Sequence, residues 1–349
     1  MNRRCIAAGF VAAWATFGVS AFAVPRRVRT EPERLEFAET HMGARVRILL
    51  YTTEPQVAKR AVEAAFARIA ELDKIFSDYD NGSELMRLVE RFADGPANPV
   101  EVSHDLYDIL TRAESISRST SGAFDVTAAP LIRQWRRAFR EKKMPSAENL
   151  AKARERVGFE RIRMIEPGRK IVLEPGTRID LGGIAKGYAA AAALKVLRES
   201  GFDRALVAVA GDMALGNSPP GQSGWAVEVA GLNPNSDPPL VRLKLRDVTI
   251  STSGDAERFV EIEGRRYSHI VDPRTGLGVT RRATVTVISQ DGSTTDAYAT
   301  SIYLLGADGP DLTGRVRNCP PLAVSWLELT ETGQTDHRTN RAFEELPRE

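Results

Sequence analysis

The stretch Ile179 to Tyr188, reading IDLGGIAKGY, constrains this chain more than any other. A strand-like apolar lead ends on Asp180, and the adjacent Gly182 and Gly183 permit a tight turn and the close approach of another backbone. Lys186 and Gly187 then open an alanine-rich helix that Gly201 stops. Such a turn suits a phosphate group. Glycines leave backbone N–H groups uncovered, a helix N-terminus adds partial positive charge, and Lys186 adds a full one. The spacing is neither GxxxxGK[ST] nor GxGxxG, so by itself the stretch reads equally as a glycine turn between a buried strand and a packing helix.

The chain begins with a segment that reads as an export signal rather than as fold. Arg3 and Arg4 form a charged start, Ile6 to Val19 an apolar run, and Ala21-Phe22-Ala23 a small-residue cleavage site. The expectation is a signal peptide over 1–23, cleaved after Ala23, and a soluble periplasmic protein with no stable membrane insertion. Cys5 precedes the apolar run, where a lipoprotein cysteine does not sit. A basic leader covers 24–34, the body of the protein 35–327, and a charged, loosely held tail 328–349. The remaining chain of about 325 residues is long enough for one large domain or two closely packed lobes. A formal net charge of +2 argues against a nucleic-acid surface. Cys319 alone remains after cleavage, so no internal disulfide holds the exported fold.

Helical and strand patterns alternate along the body. Arg45 to Tyr51 alternates as a strand. Val57 to Phe76 carries Ala61, Ala65, Ile69, Leu72 and Phe76 at helical spacing, and Ser83 can cap a short helix after the Asp80-Asn81-Gly82 turn. Ser103 caps a helix with Leu106, Leu110, Ala113 and Ile116 on one face. The segment STSGAFDVTAAPLIRQW shows no clear period and reads as a binding loop or an ordered connection. Ser146 caps a basic helix closed by Gly158, and Ile171 to Leu173 is a short strand. Strands follow at Ala205 to Leu215, Trp225 to Val229, Val241 to Leu245 and Ala283 to Ser289, with a hairpin of Phe259 to Ile262 and Tyr267 to Val271. A helix from about Thr295 to Leu305 ends at Gly306.

Several polar residues stand where chemistry is possible. Asp296 and Thr300 lie four apart, so one helix face presents a carboxylate and a hydroxyl, two hard oxygens of the kind magnesium takes. Asp296 also serves the helix dipole, and Thr300 can bond back to its own helix. His269, ahead of the turn Asp272-Pro273, is a candidate general base, and Asp212 is its rival or a turn-fixing residue. Tyr79 and Phe124, aromatics inside polar loops, can stack on a planar ring.

In order, FSDYDNGSEL, SGAFDVTAAPL, IDLGGIAKGYAA, VAVAGDM, STSGDAERFVE, YSHIVDPRTG and TTDAYATSIYLLG resemble the FAD:protein FMN transferases of the ApbE type, over nearly the whole span from Met42 to Gly306. The resemblance implies an α+β fold of antiparallel-rich sheets flanked by helices, with FAD and magnesium held between two packed lobes. It implies transfer of FMN to a Thr or Ser hydroxyl of an exported or membrane-bound electron-transfer protein carrying a Ser/Thr-Gly-Ala type motif, with release of AMP. Hydrolysis of FAD to FMN and AMP, or flavin binding without turnover, are the alternatives. Carried over by segment, the metal falls to Asp296, Thr300 and the Ala185 carbonyl. The flavin and adenine contacts fall to Met42, Tyr79, Ala123, Phe124, Asp125, Gly182, Lys186 and Ile270, and catalysis to His269, with Asp212 and Lys186 beside it. Two departures stand out: Ala210-Gly211-Asp212 replaces the usual GGD, and Ala191 replaces a frequent acidic residue.

Overall fold

The computed structural model describes residues 31–233, 237–256, 258–306 and 318–349. The export segment, its cleavage site and residues 24–30 of the leader lie outside them. Eight helices are seen among the described residues: α1 (Pro55–Phe76), α2 (Glu84–Arg91), α3 (His104–Ser119), α4 (Ala129–Glu141), α5 (Ala147–Arg154), α6 (Ala185–Glu199), α7 (Gly292–Leu305) and α8 (Arg341–Glu344). The strands in chain order are β1 (Glu33–His41), β2 (Ala44–Thr52), β3 (Val100–Glu101), β4 (Ile162–Ile165), β5 (Lys170–Leu173), β6 (Ala205–Val209), β7 (Asp212–Leu215), β8 (Trp225–Val229) and β9 (Val241–Leu245). They continue with β10 (Val248–Gly254), β11 (Phe259–Ile262), β12 (Arg265–Ser268), β13 (Ala283–Ser289), β14 (Ala323–Leu329) and β15 (Thr335–Thr339).

The main sheet has eight strands in the order β1-β2-β6-β7-β10-β13-β14-β15, which is also their order along the chain. Every neighbouring pair in it is antiparallel. Side chains therefore alternate between two faces, each of which must be covered. On one face Ile48, Leu50, Val207, Val285, Val287 and Trp326 join the largest apolar cluster with α1, α3, α6 and α7. On the other, Leu49, Leu215, Ile250 and Ile288 pack against the β8–β9 hairpin and Phe343. A third cluster, built on Leu131 and Trp135 of α4, Ala153 of α5 and Val260, Ile262 and Tyr267 of the β11–β12 hairpin, forms a smaller lobe. All of this lies within one compact unit, Pro32–Glu349.

Four expectations need correction. The stretch from Ala205 to Leu215 is two strands, because Ala210 takes a left-handed φ of 53° and turns the chain into a hairpin. Asp212 accordingly starts a strand. In the aperiodic segment STSGAFDVTAAPLIRQW, the residues from Val126 onward form a short 3-10 turn running into α4, whose buried Leu131, Trp135 and Ala138 follow helical spacing once Pro130 is read as a helix start. Strands β1 and β10 went unread: the residues of β1 are mostly exposed, and β10 buries Thr249 and Ser251 beside Ile250, so neither shows apolar alternation. The tail is not loose. β15 pairs with β14, Asn340 caps α8 by accepting from Phe343 N–H, and the Phe343 ring is fully buried, which stabilises the chain end by about 2 kcal/mol.

Candidate functional site

The glycine turn and the Asp296 helix meet at a backbone contact. A Cβ on Gly187 would lie 2.0 Å from the Gly292 carbonyl oxygen, and one on Gly292 would lie 2.0 Å from that of Gly187. Only hydrogen fits at both positions, so the starts of α6 and α7 touch directly. Asp291 fixes the start of α7, taking Thr294 N–H at 2.8 Å and Thr294 Oγ1 at 2.7 Å while Arg112 grips its other oxygen at 2.8 Å. The contact turns Asp296 towards α6, where its Oδ2 accepts Gly187 N–H at 3.1 Å. Thr300, one turn further on, lies beside the glycine turn: a Cβ on Gly183 would meet Thr300 Oγ1 at 3.5 Å and the Phe124 ring at 3.3 Å. The Thr300 hydroxyl also shares a 3.1 Å hydrogen bond with Ser253 Oγ of β10.

Lys186 projects from the first turn of α6 into this junction. Its Nζ donates to the Gly182 carbonyl at 3.1 Å and lies 3.5 Å from Asp212 Oδ2. The fields of Asp296 and then Asp212 hold the ammonium well above its ordinary range, so it stays charged. Asp296 and Asp212 are only 4 % and 6 % exposed. Burial, then repulsion from Asp212, pushes Asp296 up to about 7 against the pull of Lys186. Two enclosed carboxylates facing one ammonium make a locus short of positive charge, and a hard divalent cation fits that donor set. Among the described residues no three His, Cys, Asp or Glu side chains gather closely enough to hold a metal ion alone. A metal here would draw on hydroxyl, carbonyl or ligand oxygens as well as Asp296.

His269 enters from the smaller lobe, just after β12. Asp255, 2 % exposed, tethers that hairpin by accepting Arg266 Nε at 2.6 Å and Ala283 N–H at 3.2 Å. His269 Nδ1 lies 3.1 Å from the Arg258 carbonyl, which can only accept, so the proton is on Nδ1 and the Nε2 lone pair is left open. Surrounding protein, then the charges of Arg258 and Lys186, lower its pKa towards about 4 against the Arg258 hydrogen bond. The residue as a whole is exposed to water, which moderates the desolvation part of that shift. It is neutral at physiological pH.

The remaining candidates divide into those joined to this cluster and those beside it. Asp125 is buried and engaged by Thr127, whose N–H (2.8 Å) and hydroxyl (2.6 Å) both donate to its Oδ1; Ala123 and Phe124 before it are buried too. Burial raises its pKa. Gly182 N–H donates to Asp180 Oδ1 at 2.8 Å. Ile270 is half-buried, its N–H on Ser268 Oγ at 3.1 Å, and Ala185 is buried at the head of α6. Met42 sits at the β1–β2 turn with φ 52° and gives its N–H to Asp73 Oδ2 at 3.0 Å. Tyr79 is 77 % exposed, with the Arg136 guanidinium 4.5 Å over its ring. Arg136 also bonds Asp78 and Asp180, both at 2.6 Å, and so ties Tyr79 to the glycine turn. Sequence reading passed over Arg136 and Ser253, and took Asp180 only as the end of an apolar lead. Helical spacing in α4 would have exposed the first, but nothing local marks Ser253.

Three comparisons bear on this architecture. The family model described as "ApbE family" matches residues 42–319. The chain is 30 % identical over 263 residues to a protein of Escherichia coli (strain K12) named FAD:protein FMN transferase, covering 72 % of this chain and 73 % of that one. It is 28 % identical over 275 residues to a like-named protein of Klebsiella pneumoniae (strain 342), covering 76 % and 77 %. Among solved structures, the ApbE protein of Thermotoga maritima superposes with a TM-score of 0.78 at 26 % identity, over 91 % of this chain and all of that one. The flavin transferase ApbE of Vibrio cholerae superposes with a TM-score of 0.79 at 24 % identity, over 90 % and 99 %, a likeness of fold. With its glycine turn and its Asp296 helix both inside the residues that the family model matches, this chain belongs to the ApbE family.

Proposed function

We propose that this protein transfers the FMN half of FAD to a Ser or Thr hydroxyl of a protein acceptor and releases AMP. The observation that carries this reading is the convergence of Lys186, Asp212, Asp296 and Thr300 on the Gly182–Gly183 turn, in a chain whose relatives bear the name FAD:protein FMN transferase. In the reaction the acceptor oxygen bonds to the FMN phosphorus, the P–O bond to AMP breaks, and the hydroxyl proton goes to a base. His269, neutral and with Nε2 open, is suited to take it. Lys186 faces the charge that grows on the phosphoryl oxygens, and the glycine turn, bare of side chains, lets them come close beside it. Asp296, Thr300 and the Ala185 carbonyl would hold magnesium. The ion supplies charge neutralisation for the diphosphate. Tyr79 and Phe124 supply faces for planar rings, with Met42, Ala123, Asp125, Gly182 and Ile270 as further contacts of the cofactor.

The acceptor is an exported or membrane-bound electron-transfer subunit with a Ser/Thr-Gly-Ala type motif, and the enzyme works in the periplasm after cleavage at Ala23. Among the described residues no helix is long and apolar enough to cross a membrane. Co-expression with candidate acceptors, followed by denaturing gels viewed under flavin fluorescence, tests the reading. Covalent flavin on the acceptor that disappears with Asp296→Ala is expected. Magnesium-dependent release of FMN and AMP with no labelled protein would make the enzyme a hydrolase. FAD retained without any AMP release would make it a carrier.

A further inference from the structure

We propose that a basic groove beside Tyr79 docks an acidic segment of the acceptor protein, an inference that rests on the transfer reading above. The groove encloses about 1070 Å³ between the Asp78–Tyr79 loop, α2, α4 and α5. Seven of its lining side chains are Lys or Arg, against two acids, Asp78 and Glu90. The whole chain has a net charge of only +2, so this is a local concentration of charge. Four of the seven are neutralised at home: Arg136 by Asp78 and Asp180, Arg137 by Glu141, Lys152 by Glu148 and Arg178 by Glu90. Arg133, Arg140 and Arg156 are exposed and carry no side-chain hydrogen bond or ion pair among the described residues.

The placement of these three sets what they can hold. Arg133 and Arg140 are two turns apart on one face of α4, a rise of about 10 Å. In an extended peptide, side chains on one face recur about every 7 Å, and the long, flexible arginine side chains make up the difference from about 10 Å, so acids on alternate positions can meet both arginines. Phosphate or a single carboxylate would engage only one of them. A bilayer presents a broad surface to convex protein, whereas these arginines line a concavity. The groove also leads to the chemistry: Ile179 lines it, and Arg136 bridges its wall to Asp180, whose other oxygen holds the Gly182 N–H of the turn that Lys186 caps. A chain lying there is guided by charge before its hydroxyl reaches the site.

The test uses the full-length exported protein and two fluorescein-labelled peptides with a Thr-Gly-Ala core, one flanked by aspartates on alternate positions and the other by asparagines. Fluorescence anisotropy at low salt should show the aspartate peptide binding about tenfold tighter, with the preference fading as salt rises. In R133Q/R140Q/R156Q the preference should vanish while FAD binding and the thermal melt stay as in wild type. The charge-reversed R133E/R140E/R156E should instead favour a lysine-flanked peptide. Equal binding of both peptides by wild type, or a preference that survives the triple substitution, overturns the proposal. So does binding to phosphatidylglycerol vesicles that depends on these arginines while the peptides are not distinguished, which would make the occupant a lipid surface. Metal-dependent AMP release from FAD, read on the same wild-type preparation, reports separately on the transfer reading. Its absence alongside a clear peptide preference would remove that reading and leave the acidic ligand in place.

Discussion

The two halves of the candidate site are built on different principles. At the α6–α7 junction, backbone lies against backbone through Gly187 and Gly292, and Asp296 is held in a nearly dry interior. On the other side, the β11–β12 hairpin is a two-stranded ribbon followed by His269, which is partly open to solvent and placed by Asp255, Arg266 and one carbonyl. The first half has no slack, because close packing leaves no rearrangement short of separating two helices. The second can adjust, because ribbons of two strands are weak by themselves and depend on their tethers. The difference matches the demands of phosphoryl transfer. In the reaction proposed above, charges that neutralise a diphosphate work best when fixed beforehand, while a proton acceptor would have to admit a bulky protein substrate and still close on its hydroxyl.

That contrast can be broken most forcefully by adding one methyl group to each half. Gly187→Ala should cost about 3 kcal/mol or more, since the new Cβ meets a carbonyl oxygen that cannot retreat. Gly264→Ala in the hairpin turn, at φ 76° with open space around it, should cost only about 1 kcal/mol. Urea unfolding of both variants decides the matter, and equal losses would abolish the distinction. Next in size is His269→Ala, expected to slow transfer by roughly 10²–10⁴-fold with FAD still bound. If FAD affinity falls instead, His269 contacts the cofactor and another group takes the proton.

Smaller effects sharpen the comparison. Arg266→Met should release the hairpin from Asp255 and lower the transfer rate by about tenfold, or 1.4 kcal/mol of barrier, without moving the midpoint of global unfolding by more than a few degrees. Smallest are two pH slopes of opposite sign in the metal-free protein. Asp296 has a folded pKa raised to about 7, so its contribution favours folding at acid pH and is lost as pH rises through 7. Asp296→Asn should therefore raise the melting temperature at pH 8 while abolishing stabilisation by magnesium. His269 has a folded pKa lowered towards about 4, so the unfolded chain binds its proton first and stability falls as pH drops below 6.5. A melting series from pH 4 to 8 on His269→Gln should show that acid-side loss reduced, and an unchanged series would place the histidine in plain water.

The same contrast explains what the sequence disclosed. Asp296 and Thr300 were legible as a pair because helix periodicity alone puts them on one face, and the glycine turn was legible because glycine and lysine at a helix start have few other uses. Their meeting was not legible. It depends on Gly187 and Gly292 approaching across 105 positions of chain, a number no local pattern encodes. Ser253 and Arg136 were missed for related reasons: β10 hides its alternation behind buried hydroxyls, and α4 begins inside a segment that looked aperiodic. The chain end was misjudged because charged residues dominate it, although a single Phe343 suffices to seat it.

The main sheet pairs its strands in the order in which they are made. Each strand joins an edge that is already present, so no member has to wait for residues still to come. This lets the scaffold grow by adding one strand at a time to an existing edge. β15, the last strand in this order, is seated by the buried Phe343 ring that follows it.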